Sequence, residues 1–325
     1  MILVAVGRVD RPGAGHRCGV RVGITAVRRL RFDDGTPVTA ASGIAPLGDG
    51  WLVAQDDATH AAWQRPDGVA RLRLLPPVEG LDRFSEAAGT KHLKPDLEVA
   101  CPVEADGLPG VLLLGSGSAA RRTRGVLVTL DGDRPDVRAA DLAPLYGAVA
   151  ERLGVPVAQL NLEGASRAGD VLRWYQRGNL AAGVANAGVE VPLEALVAVL
   201  LGRAGAGTVP LGAAHVLELG EVAGVGLAVT DAIALPDGRE LLAAAAEDTP
   251  NPVDDGPVVA TALVLADGGR VLDVTPLPEV DGQVVKVEGL ALRGTDGAAV
   301  HLVAVVDADD PELPSPQVDL TVTPG

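Results

Sequence analysis

The sequence predicts an all-β protein built as a single β-propeller, and three observations carry that expectation. Five short motifs recur along the 325 residues. In each, a small or acidic residue opens an apolar strand, and a second apolar strand follows and ends in polar groups. The anchors of the five copies, Gly43, Glu98, Glu163, Asp231 and Glu288, lie 55, 65, 68 and 57 residues apart. That period suits four-stranded blades with long loops. Between them, 41 glycines and 24 prolines punctuate the chain as turns.

Taken in order, residues 1–20 carry no repeat character and read as an irregular N-terminal arm. Residues 21–325 form the propeller domain. The stretch 22–32 is a strand left over for ring closure. The first motif pairs 42–45 with 51–57, and the alternating segments 61–64 and 70–75 read as its outer strands. The second pairs 97–100 with 111–118. The third pairs 161–165 with 172–179, the fourth 229–234 with 241–248, and the fifth 287–291 with 301–310. Continuous apolar runs of four to six residues, such as Leu241 to Ala246, read as strands buried on both faces. The segments 140–153 and 192–201 have helical patterning and fall between blade strands, as decorations. The last strand, near 318–323, closes the ring with the N-terminal one and removes an open sheet edge. Five anchors predict five blades, with six as the alternative.

Composition narrows the function classes. The apolar fraction is 47% but aromatics are only 2%, so the core must be aliphatic. A formal charge of −16 argues against nucleic acid and anionic membranes as partners. It fits cations or basic partners, or solubility alone. Cys18 and Cys101 stand far apart with no CxxC, so neither a zinc site nor a disulfide framework is expected. The opening segment is too short and lacks the basic start of a secretory signal, and no apolar run is long enough for a membrane helix. A cytoplasmic monomer is the expectation.

The lysines point to the chemistry. Only three occur, Lys91, Lys94 and Lys286, and each stands shortly before a glutamate of the repeat. In a propeller, equivalent positions of successive blades converge on one axis. Glu98, Glu163, Asp231 and Glu288 should therefore approach one another, and like charges that close disfavour each other's ionisation. A bound cation would compensate, and so would Lys94, Lys286 and Arg177. The expected metal donors are Glu98, Glu163, Asp231, Glu288, Asn179 and Asp307, an all-oxygen set suited to a divalent ion, calcium first. The alternative is that these acids cap blade strands by accepting backbone N–H groups. Ser116, Ser118 and Arg121, in a Gly/Ser turn followed by arginines, could cradle an anion. Asp56, Glu247 and Asp255, at acidic strand ends and loops, complete the expected substrate-binding set. No P-loop, HExxH, GxSxG elbow or Rossmann turn is present.

The ordered motifs also carry a resemblance. Ser42-Gly43-Ile44, Asp56-Asp57, Lys94-Pro95-Asp96-Leu97-Glu98, Gly115-Ser116-Gly117-Ser118, Asn161-Leu162-Glu163-Gly164, Arg177-Gly178-Asn179, Ala246 to Thr249, Asp254-Asp255-Gly256 and Lys286-Val287-Glu288-Gly289 occur in this order. Over residues 28–325 this resembles an uncharacterised bacterial β-propeller family, itself similar to phytase-like, esterase-like and lactonase-like propellers. The resemblance implies calcium or a similar metal at the channel mouth and hydrolysis of esters, lactones or phosphate esters. A complete ligand set and a known nucleophile do not match.

The expectation is thus a metal-dependent hydrolase of a small anionic substrate. Glu98, Glu163 and Glu288 would hold the cation or act as base, and Lys94, Arg177 and Lys286 would bind substrate charge or an oxyanion. The alternative is a non-catalytic ligand- or protein-binding propeller stapled by a Lys/Arg–carboxylate network.

Overall fold

The computed structural model describes residues 19–251, 256–308, 310 and 312–325. Asp254, Asp255, Asp309 and almost all of the 1–20 arm lie outside the described residues.

The chain forms a five-bladed propeller. Its first strand, β1 (Val20–Arg29), belongs to the last blade. Blade I comprises β2 (Ala41–Leu47), β3 (Gly50–Gln55), β4 (His60–Arg65) and β5 (Gly68–Arg73). Blade II comprises β6 (Leu97–Ala105), β7 (Leu108–Gly115), β8 (Arg124–Asp131) and β9 (Arg134–Asp141). Helix α1 (Ala143–Leu153) then leads to β10 (Leu162–Ala168), β11 (Val171–Gln176) and β12 (Asn186–Pro192) of blade III. Helix α2 (Leu193–Leu200) precedes the blade's outer strand, β13 (Ala214–Leu217). Blade IV carries a two-residue strand β14 (Glu221–Val222) beside β15 (Val225–Ala234), β16 (Glu240–Glu247), β17 (Val258–Asp267) and β18 (Arg270–Pro276). Blade V is β19 (Val287–Asp296), β20 (Ala299–Val306) and β21 (Pro316–Pro324), completed by β1, which pairs antiparallel with β21. Sequence ends therefore share one blade, as the leftover strand predicts. Among the described residues no helix is long and apolar enough to cross a membrane.

Burial follows the strand patterns. Val111 to Leu114 of β7 and Leu241 to Ala246 of β16 are buried throughout, because neighbouring blades cover both faces of each middle strand. Outer strands such as β9 alternate exposed and half-buried residues. The apolar core lies in the five seams between blades rather than in one centre. The II–III seam is the largest, because α1 and α2 are wedged into it. There Tyr146 of α1 meets Trp174 of β11 edge to face at 4.9 Å, and its hydroxyl donates to the Gly115 carbonyl at 2.6 Å.

The inner strands β2, β6, β10, β15 and β19 contact one another in turn around the axis. Each breaks register with its neighbour toward the mouth, and β19 does so a second time between Leu292 and Gly294. The bulged residues at the mouth are Ser42, Glu98, Glu163, Thr230 and Glu288. A bulge bends the strand and re-aims one side chain, so these five residues are the equivalent positions. This corrects the sequence alignment at two anchors: Gly43 and Asp231 stand one residue later. With a strand period of two, that single step turns the side chain elsewhere.

One step beyond the bulge the strands nearly touch. A Cβ built on Gly289 would lie 2.8 Å from the Gly43 Cα and 2.8 Å from Val305, and one on Gly164 would lie 2.9 Å from the Asp231 backbone. Asp231, 2% exposed, accepts the Leu290 N–H at 2.6 Å and serves the backbone of Ala165 and Ala232 as well. It ties blades III, IV and V below the mouth instead of facing it. The pinch demands residues without side chains. Gly289→Ala is expected to destabilise the fold by about 1–3 kcal/mol through overpacking, read as a lower urea midpoint. An unchanged midpoint would mean the inner strands are not held this close.

Candidate functional site

The bulges open onto a cup of about 420 Å³ at the mouth of the propeller. Its walls come from blades I, II, III and V and from the long connection between β5 and β6, which brings Glu86, Gly89, Lys91 and His92. The cup is densely ionic and divides into two halves.

The first half is built on blades I and II. Asp56 follows β3, and Asp96 stands just ahead of β6, two residues before the bulged Glu98. Asp96 has a positive φ of 58°, which aspartate tolerates better than most residues. The Lys94 ammonium bridges Asp56 and Asp96. Asp96 also accepts from the Ser116 hydroxyl and, at 3.0 Å, from Arg122. Burial would raise the Asp96 carboxyl, but the Lys94 and Arg122 charges outweigh it and hold the group below its usual range. Glu98 has neither hydrogen bond nor ion pair among the described residues. Burial, then the Asp96 and Asp56 charges, pushes it well above the usual carboxylate range. The ligand oxygens of Asp56, Asp96 and Glu98 lie within 4.8 Å of one another, a group that could hold a metal ion.

The second half is built on blades III, IV and V. Arg177, 3% exposed at its side chain, meets Glu163 at 2.7 Å. Its 2.9 Å contact with Glu247 is an ion pair off hydrogen-bonding angle. Lys286 lies 2.9 Å from Glu247 and 2.7 Å from Glu288. Asn161 donates to Glu163 at 2.7 Å. The second carboxylate oxygen of Glu163, Oε2, is buried without a hydrogen-bond partner. Burial raises Glu163 against the pull of Arg177, and raises Glu288 well above its usual range against that of Lys286.

Of the residues expected from sequence, Lys94, Glu98, Glu163, Arg177, Lys286, Glu288, Asp56 and Asp307 line the cup. Glu247 stands behind it, bound to Arg177 and Lys286. Ser116, 0% exposed, supports Asp96 from beneath rather than facing a ligand. Ser118 bonds Ser116 and Arg122 at 2.8 Å each. Arg121 points to the rim near Glu79, 3.8 Å away. Asn179 belongs to a neighbouring hollow of about 130 Å³ and donates to the Thr249 carbonyl at 3.1 Å. Neither it nor Asp231 joins the acidic triad, because each faces a different space. Lys94 and Lys286 are not equivalent positions either: one lies four residues before its glutamate and the other two. Asp96, Asp57 and Arg122 were missed. For Asp96 the signal was its place in the Lys94-to-Glu98 motif, not strand spacing, since its left-handed φ and the bulge at Glu98 interrupt the two-residue alternation.

Residues 90–311 match the model of a family of unknown function, DUF6910. No curated protein matches the chain. Among solved structures it is similar to a luciferin-regenerating enzyme, with TM-score 0.37 and 13% identity, covering 87% of this chain and 77% of that one. A hypothetical protein from Leishmania major gives 0.45 and 10%, covering 91% and 90%. The WD40 domain of Toxoplasma gondii coronin gives 0.40 and 9%, covering 99% and 89%. At this level of likeness none of them bears on what this chain does.

Asp57 makes the crowding measurable. Burial, then the Asp56 charge, lifts its carboxyl from the usual 3.8 to about 7. A raised acid contributes stability that is complete below about pH 4 and lost as pH rises through about 7. The shift of about three pH units corresponds to at most about 4 kcal/mol. In EDTA, wild-type stability is expected to fall between pH 4 and 7 relative to Asp57→Asn. Parallel urea-stability profiles for the two proteins would contradict the crowding.

Proposed function

The chain belongs to the DUF6910 family, and from the geometry of its mouth we propose that it is a metal-assisted hydrolase of a small ester, lactone or phosphate ester. One observation carries the reading: Asp56, Asp96 and Glu98 converge within 4.8 Å, and Glu98 makes no hydrogen bond or ion pair among the described residues. The donor set fits a hard divalent cation, calcium first, since it offers carboxylate oxygens only and the open cup leaves room for waters. Lys94 is the competitor, because its ammonium already bridges two of the three acids.

A cation bound there would polarise a carbonyl or phosphoryl oxygen and make water a better nucleophile. The chain's own residues do the rest. Ser116 and Arg122 fix the Asp96 carboxylate. Glu288, whose carboxyl burial pushes well above its usual range against the pull of Lys286, is the group placed to pass a proton to a leaving oxygen.

A second reading has its own support: Lys94, Lys286 and Arg177 each touch two carboxylates. Such a network can serve as a staple in a non-catalytic binding propeller.

Calorimetric titration with calcium and other divalent ions separates the two readings. Binding of one ion per chain is expected, weakened at least tenfold in Glu98→Gln, which is about 1.4 kcal/mol or more. Lys94→Met should melt lower than wild type in EDTA, because breaking a buried pair leaves uncompensated charge. Calcium should then restore it by taking the ammonium's place. Absence of divalent binding to the wild type sinks the metal reading. Hydrolysis of a panel of lactones and phosphate esters, lost in Glu98→Gln and Glu288→Gln at normal melting temperature, would favour the enzyme over the staple.

A further inference from the structure

The two halves of the mouth have the same imbalance. Asp56, Asp96 and Glu98 face Lys94 and Arg122, and Glu163, Glu247 and Glu288 face Arg177 and Lys286. Among these described residues each half sets three acids against two bases, and Glu86, Asp307 and Lys91, which also line the cup, leave the acids in excess. Every base of the two halves is already engaged: Lys94, Arg177 and Lys286 by two carboxylates each, and Arg122 by Asp96. An anionic substituent entering here would have to draw a base away from its acid in a buried place, leaving that acid uncompensated. A cationic substituent needs only an acceptor oxygen that is not in use.

Glu163 has one. Its side chain lines the cup and the residue is only 6% exposed. Arg177 and Asn161 both hold its Oε1, which fixes the carboxyl plane, while Oε2 is left without a partner. A buried acceptor in that state carries the full desolvation penalty until something donates to it. On the adjacent inner strand, Glu98 likewise makes no hydrogen bond, and the two carboxyls are close enough to perturb each other. A primary ammonium donates three hydrogen bonds from one centre and would answer this arrangement, where a carboxylate or phosphate would be repelled.

We propose that the ligand of the mouth carries a primary ammonium group that pairs with the Glu163 carboxylate. This rests on the mouth being a small-molecule site and names the substrate class: an aminoalkyl ester without a further anionic group. A volume of about 420 Å³ suits a molecule of that size. Arg177 and Asn161 act as positioning residues for the carboxylate that reads the charge.

The test compares three matched probes on the full chain in EDTA, at fixed ionic strength: propylammonium, 1-propanol and propionate. Titration calorimetry should give saturable binding of one propylammonium per chain, at least tenfold tighter than either of the others. Glu163→Gln keeps an oxygen for Arg177 and Asn161 but loses the charge, and should weaken propylammonium at least tenfold. Propionate binding as well as propylammonium, non-saturable uptake of the amine, or a Glu163→Gln protein that binds it like wild type would overturn the proposal. The probe comparison on wild type stands even where the variant folds poorly. Calcium titrated into the same preparation keeps the two readings apart. Calcium binding without propylammonium binding sinks this proposal alone, and the reverse upholds it while sinking the metal.

Discussion

The propeller brings the bulged ends of its inner strands to one mouth, and in this chain three of those five bulges are glutamates. Once the strands close around the axis, Glu98, Glu163 and Glu288 have to share a cup of about 420 Å³ with Asp56 and Asp96, with Glu247 just behind it. Their mutual repulsion is the constraint to which the rest of the mouth responds. Lys94 and Lys286 are placed between pairs of acids, Arg177 between another pair, and Arg122 behind Asp96. The two remaining bulges are Ser42 and Thr230. Their hydroxyls donate at 2.6 Å to the Leu97 and Val287 carbonyls of the next inner strand, so they stitch blades and add no charge.

Support for this arrangement comes from below and from the side. The glycine pinch at Gly43 and Gly289 brings the strands close enough for the bulges to meet. Tyr146, wedged with α1 into the II–III seam, holds the Gly115 carbonyl and so sets the turn from which Ser116 reaches Asp96. A Cβ at Gly117 would strike the Tyr146 ring at 2.3 Å, so that turn can lie over the helix only because it has no side chain there. The decorations are therefore part of how the ionic mouth is positioned. Buried ion pairs of this kind are poor sources of net stability, because the desolvation penalty rivals the attraction. A network that leaves Glu98 and one oxygen of Glu163 unanswered is better understood as a site prepared for something positive.

Much of the architecture was legible because strand periodicity, turn residues and a repeat are local properties. The blade strands, both helices and the closing role of the first strand follow from runs such as Val111 to Leu114 and from the leftover segment ahead of blade I. The register at the mouth was less legible. Aligning Asp231 with Glu98 is natural when acids are matched by eye, yet the bulge makes Thr230 the equivalent residue. Bulges leave no mark in hydrophobic patterning, so a one-residue error passes unnoticed and reverses a side chain's direction.

By itself, then, the sequence determined the fold class, favoured five blades over six and drew attention to the acids and lysines of the mouth, because each depends on patterns within some sixty residues and on the rarity of lysine. The tertiary structure alone decided which acids share a space and which lysine lies between which pair. It also decided that Asp96 and Arg122 join the mouth while Asp231 and Asn179 leave it. Those facts depend on bulge register and on the close approach of strands from different blades, and both are settled only when the ring is closed.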